Sequence, residues 1–133
     1  MYRILIVDDE PIALDSVEYI IKNNFKGLEV SGRARSGREA VEKAYNLRPD
    51  IVLIDIKMPG INGLEAIRKI REFSRDVHFI IISAYDYFDY AVEAMNLGVV
   101  EYLLKPVKEA KLVEAIQKTI NSIDQTRRRI SQE

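Results

Sequence analysis

A chain of 133 residues, 47% hydrophobic and 31% charged, has the make-up of one globular domain, long enough to bury a sizeable core. With no cysteine and a single histidine, His78, it excludes disulfides, thiolate metal centres, cysteine nucleophiles and multi-histidine clusters, so any metal chemistry must use oxygen ligands. A net charge of -1 offers no general attraction to nucleic acid or to an anionic membrane, although Arg127, Arg128 and Arg129 form a local basic run. No apolar run approaches the roughly 18 residues of a membrane span, and acids follow the first apolar run too soon for a signal or transit peptide, so a cytoplasmic location is expected.

Residues 2–7 predict a short buried strand that ends at Asp8, Asp9 and Glu10. Pro11 suits the first turn of a helix, for which Ile12, Val17, Ile20 and Ile21 supply an apolar stripe. Gly27 opens a second strand over 28–34, which ends unremarkably at Arg35. Ser36, with Glu39 at capping-box spacing, starts a second helix with an inner face of Ala40, Val41, Ala44 and Leu47, and Pro49 stops it. The uninterrupted aliphatic run Ile51, Val52, Leu53, Ile54 reads as a strand covered on both faces, with Asp55 where it surfaces. After the turn residues Pro59, Gly60, Asn62 and Gly63 comes a third helix with Leu64, Ile67 and Ile70 inward. A fourth strand covers 78–82, closed by Ser83 and Ala84. Residues 87–97 form an aromatic-rich helical segment with Gly98 as C-cap, residues 101–104 a fifth strand ending at Lys105 and Pro106, and a last helix runs from about 109 to the region of Arg127.

Short apolar strands alternating with longer helices imply βαβ units, a parallel sheet and right-handed crossovers, hence a three-layer α/β sandwich of five strands and five helices. In such sheets ligands bind beyond the carboxyl ends of the strands. The residues there are Asp8 and Asp9, Asp55, Ser83 and Lys105. Three acids at one edge repel one another unless a cation intervenes, and a hard divalent ion, Mg²⁺, suits carboxylate oxygens. Asp9 and Asp55 are expected as direct ligands, with Asp8 acting through water. Lys105 offers a positive charge and Ser83 a hydroxyl to a phosphoryl group, so the edge reads as a site for phosphoryl transfer onto a carboxylate.

These motifs, Asp8-Asp9, Asp55 within IDIKMPGING, Ser83-Ala84 and Lys105-Pro106, resemble those of a response-regulator receiver domain of two-component signalling, over essentially the whole chain. The resemblance implies a flavodoxin-like (βα)5 fold with strand order 2-1-3-4-5. It also implies that Asp55 is the phosphoacceptor, that Asp8, Asp9, Asp55 and the backbone carbonyl of Lys57 hold Mg²⁺, and that Ser83 and Lys105 sense the phosphoryl group. Tyr102 matches the switch aromatic that tracks Ser83, and Lys105-Pro106 a cis peptide bond. The partners implied are a sensor histidine kinase, a homodimer through helix 4, strand 5 and helix 5, and a C-terminal output domain in a longer parent. The segment 83–106 is similar to receivers fused to AraC-type DNA-binding domains, which implies transcription as output, with no nucleic acid bound by this domain itself. Lys57 and Tyr85 are the positions expected to govern water access to the phosphoryl group. The domain is expected over 1–126, with 127–133 as a helix extension or the start of a linker. It is not expected to be an enzyme beyond its own phosphorylation and dephosphorylation.

The alternatives are a phosphorylation-independent interaction module and a small Mg²⁺-dependent aspartyl-phosphate phosphatase; the latter needs an acid two residues beyond the nucleophile, where Lys57 stands. Several motifs also have plainer readings. The Asp8-Asp9-Glu10 run suits a solvated helix N-terminus. His78 is expected to be structural, far from the acids. Tyr85, Tyr87, Phe88 and Tyr90 are expected to be mostly core or half-core, or else a face that changes with phosphorylation. Ile123 and Ile130 are expected to continue into a linker or dimer seam, and the arginine triplet to be a solvated helix end.

Overall fold

The computed structural model describes residues 1–132. Its elements alternate strictly: β1 (Tyr2–Val7), α1 (Pro11–Asn24), β2 (Leu28–Ala34), α2 (Gly37–Leu47), β3 (Ile51–Ile54), α3 (Gly63–Phe73), β4 (His78–Ser83), α4 (Phe88–Asn96), β5 (Glu101–Leu104) and α5 (Glu109–Gln132). All four strand pairings are parallel and the order is β2-β1-β3-β4-β5, the expected flavodoxin-like arrangement.

The side-chain alternation of a strand explains why the central runs carry no polar residue. Leu5, Val7, Val52, Ile54, Phe79 and Ile81 face a core closed by α2, α3 and α4. Their neighbours Ile4, Ile6, Ile51, Leu53, Ile80 and Ile82 face a second core closed by α1 and α5. Each such fully buried aliphatic chain contributes about 1.5–3 kcal/mol, which makes the three central strands the rigid platform of the molecule.

The helices start and stop for identifiable reasons. Ser36 Oγ accepts from Glu39 N–H at 3.1 Å, while the Glu39 carboxylate accepts from Arg35 N–H, one residue before the cap, at 2.6 Å. Asn62, expected only as a turn residue, caps α3 by accepting from Glu65 N–H at 2.9 Å. Gly98, at φ 73°, ends α4 in a Schellman motif, with Gly98 N–H donating to Met95 O and Val99 N–H to Ala94 O.

Four expectations require correction. Ile12 lies on the outer face of α1, 82% exposed, and Leu14 takes the buried position, because the helix presents the stripe Leu14, Val17, Ile20 and Ile21 to the sheet. Ile123 is in neither a linker nor a seam: it is buried with Ile116 and Ile120 against the sheet, and only Ile130 is exposed. Arg127 is docked rather than merely solvated, with Nη2 at 3.0 Å from Asp50 Oδ1 and its guanidinium 5.0 Å from the Tyr2 ring centre. The aromatics in and just before α4 are mostly not core, since Tyr85, Tyr87 and Phe88 are exposed and Tyr90 alone is half-buried. No helix among the described residues is long and apolar enough to cross a membrane.

Arg71 was not foreseen and joins three segments. Its guanidinium donates to the carbonyls of Arg75, Val77, Leu97 and Gly98 at 2.7–3.3 Å and lies 4.9 Å from the Phe79 ring centre. It therefore ties the end of α3 to the loop before β4 and to the end of α4. His78 starts β4 opposite Ile51, at the pole of the sheet remote from Asp55, where burial lowers its pKa.

Candidate functional site

Register alone brings the acids together. β1 pairs with β3 so that Val7 aligns with Ile54, and Asp55 N–H donates to Val7 O at 3.1 Å. Asp8 and Asp55 are therefore side by side, one residue beyond their strands, while Asp8 N–H is held by Ala34 O at 3.0 Å. Asp8, Asp9 and Asp55 each bring a carboxylate oxygen within 4.8 Å of the others. On the other side, β5 pairs with β4 so that Leu104 aligns with Ser83, and Lys105 N–H donates to Ser83 O at 2.8 Å. That pairing delivers the Lys105 ammonium to both acids, 2.8 Å from Asp8 Oδ2 and 2.9 Å from Asp55 Oδ2.

The carboxylates are further fixed by the backbone. Asp55 Oδ1 accepts from its neighbour Ile56 N–H at 2.7 Å, and Asp8 Oδ1 from Glu10 N–H at 3.0 Å. Asp8 is thus more than a solvated helix cap. Burial raises the Asp55 pKa above the ordinary carboxylate range, and the bonds from Lys105 and the Ile56 amide offset this only in part. Burial also disfavours the Lys105 ammonium, but its bonds to Asp8 and Asp55 together outweigh that, and its pKa is raised. One ammonium thus serves two carboxylates.

Ser83 is fully buried, and its Oγ accepts from Tyr85 N–H at 3.1 Å. Tyr102, paired with Ile81, is half-buried and donates from its hydroxyl to Tyr85 O at 2.6 Å; burial raises its pKa. Ser83 and Tyr102 therefore meet through the backbone of one residue, Tyr85. The Lys105–Pro106 peptide bond is cis. Lys57 is exposed, and its ammonium leaves the acids for the rings of Tyr85 and Tyr90, at 5.4 and 5.7 Å from their centres. Two contacts escaped the sequence reading. Arg35 Nη2 donates to Asp9 O at 3.3 Å, a contact that no motif around Arg35 signals. Gly63 packs against the Asp55 main chain, where its spacing signalled only a turn.

A cluster of three carboxylates, two of them sharing a single ammonium, has the hard, anionic character that suits Mg²⁺. Softer metals would call for nitrogen or sulfur ligands, which the cluster lacks.

Comparison with known proteins agrees with this geometry. The family model of the response regulator receiver domain matches residues 4–117. The transcriptional regulatory protein YesN of Bacillus subtilis is 44% identical over 120 residues, which are 90% of this chain and 33% of that protein. The chemotaxis protein CheY of Thermotoga maritima is 40% identical over 116 residues, covering 87% of this chain and 95% of that protein. Among solved structures, the REC domain of AraT, a response regulator from Geobacillus stearothermophilus, superposes with a TM-score of 0.87 at 36% identity, covering 95% of this chain and 98% of that one. The chain thus spans about a third of YesN and nearly all of CheY. With its parallel β2-β1-β3-β4-β5 sheet and a family match over most of its length, this chain belongs to the response regulator receiver domains of two-component signalling.

Proposed function

We propose that the domain accepts a phosphoryl group on Asp55 from the phosphohistidine of a sensor kinase. The observation that carries this reading is the Lys105 ammonium bridging Asp8 and Asp55 at the carboxyl edge of the sheet. An Asp55 oxygen attacks phosphorus, the new P–O bond forms as the P–N bond breaks, and the electron pair returns to the histidine of the donor. Asp8, Asp9, Asp55 and the Lys57 carbonyl would hold Mg²⁺, which supplies charge neutralisation to the transferring phosphoryl group. Lys105 exchanges part of its contact with the acids for a phosphoryl oxygen, and the Ser83 hydroxyl donates to another. With no acid two residues past Asp55, the site favours a single transfer over phosphatase turnover.

Phosphorylation adds a charge of about -1.5 to -2 at the sheet edge. Drawing Ser83 toward that charge pulls on Tyr85, whose carbonyl holds the Tyr102 hydroxyl, so the change passes to α4 and β5. Phe88 and Met95 on α4, exposed at 81% and 76%, and Leu104 exposed on β5 are apolar side chains that support phosphorylation-favoured homodimerisation there. Residues 1–126 form the receiver, and 127–132 extend its last helix or begin a linker toward an output domain in a cytoplasmic parent, Glu133 lying outside the described residues. The output is transcription, supported by the similarity to the transcriptional regulatory protein YesN, and the resemblance of segment 83–106 implies an AraC-type DNA-binding domain for it.

Incubation with Mg²⁺ and acetyl phosphate tests the assignment by mass spectrometry. Wild type is expected to gain one phosphoryl group and Asp55→Asn none; equal gains in both would sink it.

A further inference from the structure

The segment between β3 and α3, residues 55–62, carries both Asp55 and Lys57, and two glycines grip it from opposite ends. A Cβ on Gly63 would lie 2.2 Å from the Asp55 carbonyl oxygen and 3.0 Å from both the Asp55 carbonyl carbon and Ile56 Cα. A Cβ on Gly37 would lie 2.6 Å from the Ile61 carbonyl oxygen and 2.6 Å from Ile61 Cγ1. In both places the obstacle includes backbone, which cannot turn aside as the end of a side chain can. Neither glycine has the positive φ found at Gly60 and Gly98, so the requirement at these two positions is room and not backbone conformation.

Both are also the first residue of a helix, α3 and α2. The helix preference of glycine counts mainly in helix interiors and gives no reason for choosing it at a first residue. The contact supplies the reason. Gly63 N–H donates to Ile56 O at 2.8 Å, which closes the segment into a tight loop directly behind the Asp55 carboxylate. The Asp55 main chain is thereby caught between Val7 O, which accepts its N–H at 3.1 Å, and the bare Cα of Gly63.

We propose that Gly63 and Gly37 are positioning residues of the acidic site: by admitting backbone-on-backbone contact they fix where Asp55 and Lys57 stand relative to Asp8 and Asp9. This inference rests on the reading of Asp55 as an Mg²⁺-dependent phosphoacceptor. A methyl group at position 63 must either displace the Asp55–Ile56 peptide or swing the start of α3 outward. The first moves the carboxylate that Ile56 N–H holds at 2.7 Å and Lys105 at 2.9 Å. The second frees the segment that carries Lys57. A methyl group at position 37 pushes on Ile61, five or more residues from Asp55 and Ile56, so its effect reaches the site attenuated.

The test compares wild type with Gly63→Ala, Gly37→Ala and Gly27→Ala, the last a control because a Cβ at Gly27 meets nothing within 4 Å. Titration calorimetry gives the Mg²⁺ Kd, acetyl phosphate at saturating Mg²⁺ gives the phosphorylation rate, and thermal melting reports folding. Gly63→Ala is expected to melt cooperatively yet weaken Mg²⁺ by about tenfold, the scale seen when groups that orient metal ligands are altered, and to slow phosphorylation. Gly37→Ala is expected to weaken Mg²⁺ less, and Gly27→Ala not at all. A role confined to packing lowers the melting temperature of both variants and leaves their Kd at the wild-type value, which overturns the proposal. If Gly63→Ala does not fold, the Kd of Gly37→Ala decides: weakened supports the proposal and unchanged overturns it. A wild-type chain that neither binds Mg²⁺ nor takes up phosphoryl overturns the phosphoacceptor reading itself, whereas wild-type uptake with unaltered glycine variants overturns only the positioning role.

Discussion

The Lys105 ammonium stands 2.9 Å from Asp55 Oδ2, across 50 residues of sequence, and it reaches that carboxylate only because β5 lies two strands away from β3 in the same parallel register. The contact neutralises an acid that burial would otherwise favour in its protonated form. Its removal should therefore be felt in stability as well as in chemistry. Lys105→Met, which keeps the aliphatic stem, is expected to cost about 2 kcal/mol at neutral pH without Mg²⁺, less than the loss for a fully buried pair because the lysine retains 24% of its side-chain exposure. Mg²⁺ is expected to restore part of that loss by binding the folded state alone. Urea unfolding with and without the ion measures both.

The raised pKa of Asp55 has a defined sign in stability. A carboxyl whose folded pKa exceeds its unfolded value favours folding while protonated and gives up that advantage as pH rises through the folded pKa. At neutral pH the ionised Asp55 is consequently a net burden without a bound metal ion, because Lys105 offsets its burial only in part. Asp55→Asn is expected to be more stable than wild type at pH 7 in the presence of a chelator. The difference should shrink as pH falls into the ordinary carboxylate range, near about 3.9. Denaturant midpoints taken across that range check the trend, and a stabilisation that grows toward low pH would contradict it.

Arg71 spends its guanidinium on four backbone carbonyls, so its loss strands acceptors that no neighbouring side chain replaces. Arg71→Met is expected to cost about 3 kcal/mol, the sum of several charge-assisted bonds less the packing that the methionine retains. Amide exchange should rise selectively at 97–100, where the α4 C-terminus is tied down. Uniform loss of protection across the domain would mean instead that Arg71 supports the fold as a whole.

At the far pole of the sheet, Asp50 accepts from Arg3 N–H at 2.8 Å and from Arg127 Nη2 at 3.0 Å. Arg127→Ala removes an exposed ion pair and the stacking on Tyr2, and is expected to cost only about 0.5–1 kcal/mol. The effect should concentrate in faster amide exchange over 124–132. Ile123 lies one turn nearer the core and is buried, so protection before it should hold.

The parts that the sequence made legible share a physical cause. Strands covered on both faces must be continuously apolar, so Ile51 to Ile54 announce both their own burial and the exit point at Asp55. Parallel register then carries every strand end to one edge, which is how Asp8, Asp55 and Lys105 come into contact without any local signal linking them. What stayed hidden depends on atoms that leave no pattern. Ile12 and Leu14 are equally apolar and two residues apart, and only the rotation of α1 on the sheet decides between them. Arg71 binds carbonyls, which every residue carries, so its partners could not be recognised by type. Gly63 resembles any turn glycine until the Asp55 carbonyl is seen against it.

The unequal fastening of α4 has a mechanical consequence. Its C-terminal end is riveted by the Schellman turn and by the Arg71 bonds to Leu97 and Gly98, whereas Tyr87, at its N-terminal end, makes no side-chain cap bond. The helix has nine residues and is roughly 13 Å long, and its backbone anchoring is concentrated at one end. If phosphorylation pulls on Tyr85 as proposed, the displacement is expected to be larger at Phe88, the most exposed aromatic of the domain, than at Gly98.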